Sequence, residues 1–165
     1  MITTIIFDFG DVFLNLDKPA ILRELENRNV RDYTEKLLEI NQEYEKGLIS
    51  SGEFIQSFRN DHSHLTEVDV TSCWNAILLD FPEHRLDFLK QLAAEKKYKL
   101  LLLSNTNDLH IDWVQENIPF FEEFKNCFDA VYLSQQINLR KPDASIFQFV
   151  LKQHRLVPQE VLFID

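Results

Sequence analysis

The chain has 165 residues, enough for one domain or for one domain carrying an insertion. Hydrophobic residues make up 45% of it, which provides for a buried core and excludes a disordered chain. With 17 Lys and Arg against 27 Asp and Glu the formal charge is −10. Nucleic-acid and anionic-membrane partners are therefore not expected, because both are recognised by clustered basic residues.

Cys73 and Cys127 show neither a CxxC nor a metal-ligand spacing, so a reduced, cytoplasmic protein is the simpler reading. No N-terminal export signal and no stretch approaching 18 apolar residues is present, and neither secretion nor membrane spanning is expected.

The first element, within TIIFDFGDVFLNLD (residues 4–17), is a short apolar run that ends at Asp8, with Gly10 two residues on. A continuous run of this kind fits a strand covered on both faces. Residues 18–80 then contain no convincing strand. Helices are predicted over 19–29 and over 32–46, the second stopped by Gly47. Ser50-Ser51-Gly52-Glu53 matches a capping box that opens a third, with Phe54 and Phe58 on one face. A fourth is predicted over 66–79, with Val70, Trp74, Ile77 and Leu78 apolar. A helix over 82–96 leads into a strand over 99–104. Further strands are predicted over 130–134 and 161–165, with a helix over 143–154 between them. This alternation predicts an α/β fold, a doubly wound parallel sheet whose core is discontinuous (residues 1–17 and 81–165), with a four-helix cap inserted at 18–80.

In open parallel sheets ligands bind beyond the carboxyl ends of the strands. The residues expected there are Asp8, Ser104-Asn105, Lys141-Pro142 at the start of a helix, and Asp165. Two carboxylates, a hydroxyl and a lysine on one rim suit phosphoryl transfer. A carboxylate attacks phosphorus, and the hydroxyl and ammonium hold phosphate oxygens. Two carboxylates about 4 Å apart at an effective dielectric of about 20 repel by roughly 4 kcal/mol. A divalent cation that prefers oxygen, Mg2+ above all, removes that conflict. Taken singly, a Ser or Asp after a strand is more often only a helix cap; the signal is the order of all four.

These residues resemble the four motifs of the haloacid dehalogenase-like hydrolases, and the helical insert resembles their first cap type. LLSNTNDLH, YLSQQINLRKPD and YEKGLISSGEF are similar to segments of bacterial α-glucose 1-phosphate phosphatases and of the phosphatase domain of soluble epoxide hydrolases. The resemblance implies that Asp8 is the nucleophile and that Ser104, Asn105 and Lys141 bind the phosphoryl group. It implies that Asp165 holds Mg2+ together with Asp8 and the carbonyl of Gly10. The substrate expected is a small phosphorylated metabolite, a hexose 1-phosphate being the leading candidate. The alternative is a weakly active or inactive scaffold that binds a phosphorylated ligand or a protein.

Two departures stand out. The family's second aspartate, a proton shuttle, is replaced by Gly10. As one of three glycines, it is expected to serve backbone geometry beside the ligand, with Asp11, Asp17 or water supplying the proton. The chain also stops at Asp165, where the fourth motif begins, which reads as a truncated product. His62 and His64 are read as a solvated loop rather than a metal site. His110 and Trp113 are read as helix residues near the rim, and Phe54, Phe58 and Trp74 as helical-unit core.

Overall fold

The computed structural model describes residues 1–31 and 35–165, and the side chains of 35–37 lie outside the described part. Four parallel strands form one sheet in the order β3-β2-β1-β4. They are β1 (Thr4–Phe7), β2 (Lys99–Ser104), β3 (Ala130–Leu133) and β4 (Val161–Ile164). In register, Phe7 lies beside Leu102 of β2 and Ile164 of β4. Asp8 and Asp165 therefore leave the same edge of the sheet, next to Ser104.

The apolar runs are continuous because both faces are covered. Ile5, Phe7, Leu100 and Leu102 face helices α5 (Glu83–Ala94), α6 (Asp108–Asn117) and α7 (Phe121–Lys125). Ile6, Leu101 and Leu103 face α9 (Ala144–His154) through Ile146 and Val150. The first face is filled by phenylalanine. Phe124 packs on Phe9, Phe13, Phe81 and Phe128 with ring centroids 4.9–5.2 Å apart.

Between β1 and α5 the chain forms α1 (Ala20–Asn27), α2 (Glu35–Glu45), α3 (Ser51–Asp61) and α4 (Glu67–Asn75). These helices enclose their own apolar cluster, in which Tyr44, Phe54, Phe58 and Trp74 are buried. Tyr44 stacks on Phe54 at 4.4 Å. The capping box of Ser50 and Glu53 is present. A second box, Thr66 with Asp69, opens α4, and its bonds to Thr66 hold the Asp69 carboxyl at about 2. The first residues of the helix predicted over 32–46 lie outside the described residues. The helix predicted over 66–79 is shorter than its sequence pattern. Its last residues join the linker instead: Leu79 N–H donates to the Asn15 carbonyl at 3.0 Å and Asn15 N–H to the Asp80 carbonyl at 2.9 Å. Asp17 N–H donates to Ile77 at 2.8 Å. The two chain crossings into and out of the helical unit thus run side by side.

β3 ends at Leu133 rather than Ser134, because Ser134 starts the short helix α8 (Ser134–Ile137). Its buried hydroxyl accepts from Thr106 N–H at 2.9 Å and donates to the Thr106 carbonyl at 3.0 Å. This ties the loop after β2 to the end of β3.

Gly47 turns the chain after α2 with φ of +63°, a conformation that costs an L-residue roughly 1–2 kcal/mol. A Cβ there would lie 2.1 Å from the Gln135 carbonyl oxygen, so the turn is pressed against α8. Gly52, in the first turn of α3, has only the Ser50 hydroxyl nearby, at 3.9 Å. Chemical denaturation of two variants separates these situations. Gly47→Ala is expected to lose at least about 2 kcal/mol. Gly52→Ala is expected to gain about 0.5–1 kcal/mol from its helical position.

Candidate functional site

Asp8 is the first residue past β1. Its main-chain N–H donates to Ile164 at 2.8 Å, and its own Oδ1 accepts from Phe9 N–H at 2.8 Å. Lys141 Nζ sits 2.8 Å from Asp8 Oδ1 and 3.1 Å from Asp165 Oδ1. The side chains of Lys141 and Asp8 are only 12% and 18% exposed. Burial raises the Asp8 carboxyl to about 6, the hydrogen bond with Asp165 adds to this, and Lys141 opposes it. Asp165 is pushed down, with its bond to Asp8 as the leading cause. Two carboxylates within hydrogen-bonding reach, with one ammonium between them, form a concentrated patch of negative charge.

Lys141 is held there by its neighbours. Asn105 Nδ2 donates to the Lys141 carbonyl at 2.9 Å, and Lys141 N–H donates to Asn105 Oδ1 at 2.8 Å. The Asn105 amide therefore clamps the main chain of Lys141 from both sides. Lys141 Nζ also lies 5.2 Å from the centroid of the Phe163 ring. Ser104 is buried, and among the described residues its hydroxyl has only a long 3.4 Å contact to the Asn105 carbonyl. It remains available to a ligand.

A cavity of about 160 Å3 opens beside Ser104 and Asn105; Asp8, Lys141 and Asp165 are not among the residues that line it. Its floor comes from Gly10, Ser104, Asn105 and Thr106, and its wall from Leu16, Ile77, Leu78, Glu45 and His110. The wall thus includes residues of the helical unit and its linkers. A wider open groove of about 720 Å3, lined by Val68, Thr71, Trp113 and Glu116 among others, contains none of the rim's polar groups.

Gly10 differs from its expected role. Its φ lies outside the left-handed region, so the backbone does not demand glycine. A Cβ there would meet Leu16 Cδ1 at 2.8 Å. The obstacle is the movable end of a leucine. Asp11 is paired with Lys18 at 2.6 Å and Asp17 with Arg23 at 2.7 Å, both at the surface. Neither lines the cavity.

His110 contacts the Trp74 carbonyl through Nε2 at 3.2 Å and the Asn107 amide through Nδ1 at 3.2 Å. It stacks on the Trp74 ring at 5.4 Å. Desolvation lowers it to about 4, so the ring is neutral and both nitrogens are engaged. It joins α6 to α4. His64 bonds to the Arg28 carbonyl at 2.9 Å. Among the described residues no group of three or more His, Cys, Asp or Glu could hold a metal. Both cysteines are free.

Sequence reasoning missed Glu45, Leu16 and Ser134. Glu45 stands in the YEKG segment, where the helix stop at Gly47 was the visible signal. The others carry no signal apart from their neighbours in space. No helix among the described residues is long and apolar enough to cross a membrane.

The haloacid dehalogenase-like hydrolase family model matches residues 2–165. The chain is 30% identical to the D-ribitol-5-phosphate phosphatase of Bacteroides thetaiotaomicron, over all of this chain and 83% of that protein. A HAD family enzyme of the same organism, solved in complex with magnesium and inorganic phosphate, superposes with a TM-score of 0.86 at 32% identity. The match covers 100% of this chain and 85% of that one. A predicted HAD-like hydrolase from Porphyromonas gingivalis gives a TM-score of 0.86 at 29% identity, covering 100% and 82%. The named substrate among these relatives is a pentitol 5-phosphate, not the sugar 1-phosphate that the sequence resemblance implied. The match over residues 2–165, together with the relatives at 30% and 32% identity, shows that the chain belongs to the haloacid dehalogenase-like hydrolases.

Proposed function

We propose that the protein is a Mg2+-dependent phosphatase of small phosphorylated sugars or sugar alcohols. The observation that supports this best is the meeting of Asp8, Asp165 and Lys141 at one sheet edge, next to Ser104 and Asn105, which line a small cavity. Asp8 attacks phosphorus, the ester P–O bond breaks, and the leaving oxygen takes a proton from water. Water then attacks the aspartyl phosphate and releases inorganic phosphate, which restores the carboxylate. Ser104 and Lys141 hold phosphoryl oxygens, and Asn105 positions Lys141. The residues 18–80 act as the cap that covers the ester and excludes water. A cavity of 160 Å3 lies below the usual range of roughly 300–1,000 Å3 for drug-sized ligands, which favours a small leaving group.

The donors fit a hard cation. Asp8 and Asp165 converge on a single Lys141 ammonium, which leaves one of the two negative charges uncompensated, and the Gly10 carbonyl stands two residues from Asp8. Only oxygen donors are offered, as Mg2+ prefers. When bound, the cation supplies charge neutralisation and polarises the phosphoryl group.

Three measurements test this reading. Asp8→Asn is expected to eliminate turnover of phosphate monoesters, while residual activity near that of the unaltered chain overturns Asp8 as nucleophile. Mg2+ at about 100 times its Kd stabilises by about 2.7 kcal/mol, so the melting temperature is expected to rise with Mg2+ and to rise much less in Asp165→Asn. Asn105→Ala removes two hydrogen bonds, each worth about 1 kcal/mol, and is expected to weaken both stability and inhibition by inorganic phosphate.

Gly10 leaves the ester oxygen without a carboxylic acid at its customary place. General acid–base catalysis contributes about 10²–10⁴-fold, so leaving groups that need little protonation are favoured. An anomeric hydroxyl is more acidic than a primary alcohol. Among hexose phosphates a 1-phosphate is therefore expected to turn over faster than a 6-phosphate. Gly10→Asp, accommodated by a shift of Leu16, narrows the gap. Equal rates for both esters in the unaltered chain point instead to a proton donor elsewhere.

A further inference from the structure

Glu45 is out of place in a pocket for an anion. It ends α2 and lines the cavity with Gly10, Ser104 and Asn105, and it is the one acid among the described lining residues. In a chain of net charge −10, a carboxylate beside a phosphate site repels the ligand unless it is neutralised. Arg140 neutralises it. Arg140 reaches Glu45 Oε2 through two nitrogens at 2.7 and 2.8 Å. The two side chains are 20% and 17% exposed.

Both contacts fall on Oε2. Among the described residues no hydrogen bond to Oε1 is present, which leaves this residue of the cavity lining with an acceptor to spare. The rest of that wall is mostly apolar, from Phe9, Leu14, Leu16, Ile77 and Leu78. One helical turn earlier on the same face of α2, Asn41 has a buried amide oxygen with no partner among the described residues. Arg140 precedes Lys141, so the ion pair also ties the α2 end of the helical unit to the residue that holds the phosphoryl-binding lysine. Asn138 reinforces this by donating to the Lys46 carbonyl at 2.7 Å.

A buried acceptor of this kind has no use for a hydrocarbon leaving group. Its natural complement is a hydroxyl, which donates a charge-assisted hydrogen bond to it. We propose that Glu45, neutralised and oriented by Arg140, is the residue that selects a polyhydroxylated leaving group by accepting hydrogen bonds from its hydroxyls. This inference rests on the phosphatase reading and names the part of the ligand beyond the phosphate.

The test compares two primary alkyl esters, a pentitol phosphate and n-propyl phosphate, on the full chain with Mg2+. The unaltered chain is expected to favour the pentitol ester. Glu45→Gln preserves the shape and a contact with Arg140. It is expected to lower kcat/KM for the pentitol ester on the order of 10- to 100-fold, the range for one hydrogen bond to a charged group. The propyl ester is expected to lose markedly less, so that the ratio of the two kcat/KM values falls. Competitive inhibition by the free pentitol weakens in parallel. Glu45→Asp, with the charge kept but withdrawn from the wall, recovers part of the preference. An equal loss on both esters overturns the proposal and makes Glu45 a structural or proton-transfer group. An unchanged ratio overturns it as well. If the unaltered chain hydrolyses propyl phosphate but shows no polyol preference, the phosphatase reading stands and this inference falls. Turnover of neither ester ends both.

Discussion

The ammonium of Lys141 between Asp8 and Asp165 is the contact around which the rest of the site is arranged. Without a cation near them, two carboxylates at the tips of adjacent parallel strands repel across a partly desolvated gap. They are brought there by backbone register: β1 and β4 are neighbours, and each run of apolar residues ends in an aspartate at the same height. The lysine comes from elsewhere in the chain and must be held in place. Asn105 does so by closing two hydrogen bonds on the Lys141 main chain, and Arg140 anchors the preceding residue to Glu45.

This arrangement also joins the two parts of the molecule. Apart from the paired linkers at 15–17 and 77–80, helical residues meet the sheet-edge loops at defined points. The Tyr44 hydroxyl accepts from Leu109 N–H at 3.0 Å, and Trp74 Nε1 donates to Asn107 at 3.3 Å. The neutral His110 ring lies on Trp74, and Gly47 lies against α8. Each of these ends on the loop after β2, on the first turn of α6 that follows it, or on the segment after β3, close in sequence to Asn105 and Lys141. An ion pair such as Glu45–Arg140, one-fifth or less exposed, is less screened by salt than a surface pair and contributes geometry as much as energy.

Much of this was legible before any coordinates. The continuous apolar runs marked both-face-covered strands, and the helix patterns between them implied parallel order. The Ser50 capping box and the Gly47 stop placed two boundaries of the inserted helices, and the strand-end polar residues marked the rim. Boundaries failed where tertiary bonds compete with local ones. Residues 76–79 carry a helical pattern but pair with the linker at Asn15. Ser134 continues a strand pattern but turns into α8, because its hydroxyl serves both main-chain groups of Thr106. Gly10 invited an explanation from backbone conformation, whereas the space around it is set by Leu16, whose side chain no local pattern would direct there.

By itself, then, the sequence determined the order of elements, the faces they bury and which polar residues stand at strand ends. Those follow from periodicity and from the short-range chemistry of caps and turns. Only the tertiary structure decided that Lys141 bridges two carboxylates, that Asn105 clamps the lysine's main chain and that His110 is neutral and engaged. It alone placed a glutamate from the inserted helices on the cavity wall with an arginine to neutralise it. Such facts depend on distances between residues up to 133 positions apart in the chain, and no local pattern carries them, because a charge's partner and its degree of burial are properties of the packed molecule.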